Sequence, residues 1–149
     1  MLSPRFLKTY FTIILLLLFK PFSFAEGFIK NQGQLPNNVF AKKNVKGGAL
    51  FIEQAKLTFS FYDQIQLKNF HNRVGNNNKI NFHSYSVSFL NTNKSLDTKF
   101  LNKLDFTENY YLGDSSSWAT GVSHYQKHIQ KNIYKGIDLL IYNHDNNLK

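Results

Sequence analysis

From Lys56 to Tyr62 apolar and polar residues alternate, with Leu57, Phe59 and Phe61 on one side and Thr58, Ser60 and Tyr62 on the other. Residues 81–90 repeat the pattern: His83, Tyr85, Val87 and Phe89 oppose Phe82, Ser84, Ser86 and Ser88. A two-residue period predicts strands with one buried face, and the aromatic and β-branched content suits a pleated, half-buried surface. Further strands are predicted at residues 39–43, 49–53, 109–112, 124–130 and 138–143. Residues 44–48, 75–78, 113–117 and 144–147 separate them and are rich in Gly, Asn, Asp and Ser, which tolerate tight or left-handed turns. Beyond residue 25 no long stretch shows helical apolar spacing, and no repeat has a fixed period. Many short strands with turn signals predict an all-β fold, an antiparallel β-sandwich-like domain or related barrel.

The N-terminus departs from this pattern. Arg5 and Lys8 precede an apolar run over residues 10–19, and Ser23 and Ala25 stand at the −3 and −1 positions of a cleavage site before Glu26. Basic, apolar and small-residue segments in that order predict a secretory signal-peptide helix over residues 1–25. A membrane anchor needs about 20 apolar residues, and Lys20 interrupts this run well short of that. The expected organisation is a signal peptide at 1–25 and a β-rich domain at 26–149, with no stable membrane span after cleavage.

Cleavage changes the charge. The 149 residues carry 18 Lys+Arg against 9 Asp+Glu, or +9; removing Arg5, Lys8 and Lys20 leaves 15 − 9 = +6 on 124 residues. The remaining lysines are scattered apart from Lys42, Lys43 and Lys46, so solvated surface charge is expected and nucleic acid is not an expected partner. A hydrophobic fraction of 42% is too high for a disordered tail. With no cysteine, a disulfide scaffold, a thiolate zinc site and a cysteine nucleophile are excluded.

Candidate chemistry is sparse. His124 and His128 have helical metal-site spacing, but on a strand four residues span about 13 Å, so an ordinary polar strand face is expected there. Asp105, Glu108 and Asp114 lie close in sequence, although a glycosidase pair is defined by geometry. Ser115–Ser117 lack a nucleophile-elbow setting and read as a polar turn. No catalytic, cofactor-binding or metal-ligating residue is assigned, no cofactor is expected, and the chain is read as non-enzymatic.

Two blocks carry a resemblance. The first is Phe28-Ile-Lys-Asn-Gln-Gly-Gln-Leu-Pro36 with Val39, residues 47–53, Leu57 and Phe59; the second joins residues 83–90 and 109–113 to Trp118, Val122, Tyr125, residues 132–138 and Tyr142. Together they resemble the uncharacterised N-terminal domain of large exported Bacteroidota proteins, which often continue into SBBP repeats, PKD-like domains and a type IX secretion sorting domain. The resemblance implies export to the outer-membrane surface or medium, a β-rich fold and a surface or adhesion-like role. Its motif residues here are Asn31, Gly33, Gln34, Pro36, Trp118, Tyr125, Tyr134, Gly136 and Asp138, expected to be structural.

Gly33 and Gly136 suit turns with positive φ, and Pro36 restrains the chain after the first block. Trp118, Tyr125 and Tyr134 are expected as core or inter-sheet packing residues, with a sugar-stacking platform as the alternative. Asp138 is expected to cap a turn by hydrogen bonding. The family's strand after residues 144–147 runs longer than Leu148 and Lys149, so a domain lacking C-terminal strands is expected, which would place a truncated product in the periplasm. The leading functional expectation is a non-enzymatic exported β module for adhesion, binding or structure, with surface glycan or other exported domains as candidate partners; the alternative is a glycan-binding or glycan-hydrolase-associated module.

Overall fold

The computed structural model describes residues 27–72, 79–144 and 147–149. The expected signal segment and the 75–78 turn lie outside them, as do Asp145 and Asn146 of the expected C-terminal turn. The described chain forms strands β1 (Phe28–Lys30), β2 (Val39–Val45), β3 (Gly48–Glu53) and β4 (Lys56–Tyr62), then helix α1 (Gln64–His71). Strands β5 (Phe82–Ser88), β6 (Asp97–Tyr110), β7 (Ala119–Tyr134), β8 (Ile137–His144) and β9 (Asn147–Leu148) follow, with one 3₁₀ turn at Ser115–Ser117. Every described strand pairing is antiparallel, in the order β5-β4-β3-β2-β1-β7-β8-β9, with β6 also on β7. The fold is all-β, as the alternation predicts. One curled antiparallel sheet makes a half-barrel.

The curl explains the core. Phe28, Ala41, Leu50, Ile52 and Ile141 form a buried cluster, and Val45, Leu57, Phe59, Phe100, Leu139 and Leu148 pack around it. Residues of β2–β4 therefore meet residues of β8 and β9 across the concave side, though these strands are distant along the sheet. Each fully buried aliphatic side chain there contributes roughly 1.5–3 kcal/mol. A second cluster holds Ile29, Ala119 and Val122 under Tyr110 of β6.

Polar bonds fasten the curl at one end. The Gln130 side chain donates to the Glu53 carbonyl (2.7 Å) and accepts from the Ala55 N–H (2.9 Å), tying β7 to the β3–β4 turn. Nearby, Gln54 donates to the Lys94 carbonyl and the Tyr134 hydroxyl to the Leu90 carbonyl. Gly48 permits a close approach of β3 to β4, because a Cβ there would collide with the Ser60 carbonyl oxygen.

Several boundaries differ from the pattern reading. β1 is too short to show a period, and β6 starts at Asp97 rather than 109. Its alternation is hidden by Asn102 at φ +56° and by a register shift between Lys103 and Thr107. Helix α1 buries none of its residues, so no apolar stripe announces it; the Asp63 carboxylate caps it by accepting from the N–H groups of Ile65 and Gln66. No helix among the described residues is long and apolar enough to cross a membrane.

Candidate binding surface

The β4–β5 pair ends the sheet: Leu57 and Phe59 of β4 pack against the core cluster, and β5 is the outermost strand. Along β4 every residue is half-buried, and along β5 every residue is exposed. The uninterrupted register pairs Leu57 with Val87, Phe59 with Tyr85 and Phe61 with His83, so these six side chains share one face. Phe59 and Tyr85 stack with ring centroids 5.1 Å apart, and Phe61 lies 6.2 Å from Tyr85. Tyr85 and Val87 remain 47% and 45% exposed, so this aromatic ladder is open to a partner.

The opposite face is lined with hydroxyls. Thr58 and Ser86 share a hydrogen bond of 2.9 Å, as do Ser84 and Ser60. Thr58 shares that face with Glu53, whose carboxylate accepts from Thr58, Lys56 and Asn38. Burial pushes the Glu53 carboxyl up, but these bonds and the Lys56 charge more than offset it, so its pKa lies below the usual carboxylate value. β5 itself carries no Lys, Arg, Asp, Glu or Pro.

A second exposed apolar cluster stands at the β6–β7 tip. Tyr111 and Trp118 meet edge to face at 5.3 Å, beside exposed Leu112. Trp118, expected as a packing residue, is half exposed, because the tip extends beyond the sheet. Asp114 caps the 3₁₀ turn between the two rings by accepting from the Ser116 N–H, and that bond lowers its pKa.

The other motif residues organise turns and packing. The Asn31 side-chain amide donates to the carbonyls of Leu35, Pro36 and Val39, and its oxygen accepts from the N–H groups of Gly33 and Leu35. Gln34 donates to the Lys30 carbonyl and accepts from the Gln32 N–H, while Gln32 accepts from the Ser123 N–H. The first block thus knots the β1–β2 loop and fastens it to β7. Gly33 and Gly136 stand at φ +111° and +75°. Tyr125 packs on Phe100, and Tyr134 is half-buried. Asp138 accepts from the Lys131 ammonium (2.7 Å) and the Asn132 N–H (2.8 Å), bonds that hold its pKa down.

The candidate chemical groups are drawn into packing. His124 and His128 were expected on a polar strand face, yet both are buried. His124 sits against Phe106 and within 3.4 Å of the Glu108 carboxylate, while His128 lies between Phe40 and Phe100. Glu108 also accepts from the Tyr110 hydroxyl, and burial followed by that carboxylate pushes the phenol pKa up. Lys43, expected on the surface, is buried with its ammonium 5.3 Å from the centre of the Phe28 ring. Among the described residues no three His, Asp or Glu side chains group to hold a metal ion. Sequence reasoning found both strands of the ladder and placed its face inside, which holds for Leu57 and Phe59 of β4 but not for β5; the signal available was the absence of charge on residues 82–88.

Fold and surface together define an all-β module with an exposed aromatic edge. Comparison of sequences then gives its family: the chain belongs to the domain of unknown function DUF7948, whose family model matches residues 28–149. No curated protein and no solved structure matches it.

Proposed function

We propose that this chain is a non-enzymatic binding or structural module of an exported protein, delivered by a signal peptide over residues 1–25 and working at the cell surface or in the medium. The observation that carries this reading is the aromatic ladder that runs from half-buried Phe59 and Phe61 of β4 to exposed Tyr85 of β5 at the end of the sheet. Rigid aromatic side chains present large contact area at low entropy cost. The resemblance to N-terminal domains of exported Bacteroidota proteins supports the same placement, beside SBBP or PKD-like repeats and a type IX sorting domain. Such a module would present neighbouring domains or adhere through its own edge.

Surface proteolysis of intact producing cells tests the reading. Release of fragments beginning at Glu26 is expected; a chain retained in the cytoplasm with residues 1–25 intact would overturn it. Saturable polysaccharide hydrolysis lost in Asp105→Asn or Glu108→Gln would overturn the non-enzymatic part.

The exposed Tyr111 and Trp118 rings favour a second reading, a glycan-binding module that stacks sugar faces at the β6–β7 tip. A glycan array with signals that vanish in Trp118→Ala would support it, and an array without signals would remove it.

A further inference from the structure

The outer edge of β5 offers more than an apolar face. The flanking bonds, Phe89 N–H to the Ala55 carbonyl and Asp63 N–H to the Asn81 carbonyl, continue the unbroken β4–β5 register. In an antiparallel ladder alternate residues turn their backbone groups toward the same partner. The odd-numbered residues of β5 therefore bond to β4. Phe82, Ser84, Ser86 and Ser88 aim their N–H and C=O groups outward, where no strand pairs with them among the described residues.

An unpaired edge is a template for another strand, and proteins commonly protect it with charge, proline, a bulge or a very short strand. β5 has none of these: seven residues, no register shift, no proline and no formally charged side chain. We propose that this edge pairs antiparallel with β5 of a second copy of the chain, about a two-fold axis at Tyr85. The inference rests on the reading of the β4–β5 hairpin as a binding surface and names its partner.

The self-complementarity of the sequence supports a second copy rather than an arbitrary strand. With Tyr85 facing Tyr85 of the other copy, Ser84 meets Ser86 and Phe82 meets Ser88, so the outward backbone groups meet in hydrogen-bonded pairs. One face then carries the continuous row Phe59, Tyr85, Tyr85, Phe59, extending the existing 5.1 Å stack. The other carries Thr58, Ser86, Ser84, Ser60, extending the hydroxyl bonds already present. His83 faces Val87, so no like charges meet even when the imidazole is protonated. Identical patches facing each other make a closed, isologous contact. A single seven-residue edge is smaller than the roughly 1,600 Å² of a standard stable interface, so the dimer is concentration-dependent.

Because the chain has no cysteine, a single introduced thiol can link only to its own copy. Facing residues at a non-hydrogen-bonded position lie about 4.5 Å apart at Cα, within disulfide reach. Ser88 is three residues from the axis, which puts its counterpart roughly 20 Å away. In the purified chain, Tyr85→Cys is expected to form a covalent dimer under mild oxidation at least tenfold faster than Ser88→Cys. Equal rates would overturn the proposal, since random collision explains them. Sedimentation across a concentration series should show a monomer–dimer equilibrium that Ser86→Pro abolishes. That proline removes an outward N–H while sparing the bonds to β4, and circular dichroism checks that the sheet persists. A dimer unaffected by Ser86→Pro, or a monomer at every concentration, would overturn the pairing. A monomer that still binds a ligand through Phe61 would overturn it while leaving the binding-module reading intact.

Discussion

The β2–β3 and β4–β5 strand pairs belong to the same sheet but meet different fates. Ala41, Leu50 and Ile52 of the first are fully enclosed, whereas Tyr85 and Val87 of the second remain nearly half exposed. The difference is curvature: β8 and β9 fold back far enough to cover β2 and β3, while β5 lies at the far end of the strand order. Alternation decides which residues share a face; the curl of the sheet decides whether that face is covered.

The largest break in this comparison comes from Leu50→Ala. It removes a fully buried side chain at the centre of the core and should cost about 3–4 kcal/mol in urea unfolding.

Acid should come next. Burial lowers the His128 pKa from the ordinary 6.5 to about 4. Between those values the unfolded chain takes a proton that the folded chain does not, so stability falls as pH drops from 6.5 toward 4. A gap of roughly 2.5 pH units corresponds to about 3 kcal/mol, present above pH 6.5 and lost below pH 4. The lowered carboxylates of Glu53 and Asp138 act in the same direction, since the unfolded chain takes up their protons first, and their contributions are lost as pH falls through the carboxylate range. His128→Phe should flatten the unfolding midpoint between pH 7 and 4.5; an unchanged slope would assign the acid sensitivity elsewhere.

Gln130→Ala should cost about 2 kcal/mol, because it leaves the buried Ala55 N–H and the Glu53 carbonyl without their partner. Loosening should be concentrated at the β3–β4 turn, visible as faster amide exchange at Ala55. The smallest effect belongs to the hairpin: Phe82→Ala, at a side chain 73% exposed, should shift stability within about 0.5 kcal/mol. A cost as large as that of Leu50→Ala would mean that the hairpin is covered.

The sequence made much of the fold legible through local chemistry. Leu57, Phe59 and Phe61 marked β4, and turn-forming residues at 44–48 marked the β2–β3 hairpin. What it concealed depends on contacts between distant strands. His128 and Gln130 look like polar positions on a strand, yet the curl carries them against Phe40, Phe100 and the β3–β4 turn. Lys43 sits in a run of lysines and is nevertheless buried over Phe28. The candidate surface was hidden for the opposite reason, since an aromatic alternating strand has the same pattern whether its face is covered or open.

Residue-resolved amide exchange in dilute protein tests the account most directly. In β3, packed between β2 and β4, amides of both parities should exchange slowly. In β5 the amides of His83, Tyr85 and Val87 should be protected and those of Ser84, Ser86 and Ser88 should exchange freely, with protection of the latter set growing as concentration rises. Uniform protection along β5 in dilute protein, or uniform exchange, would contradict an open edge strand paired only to β4.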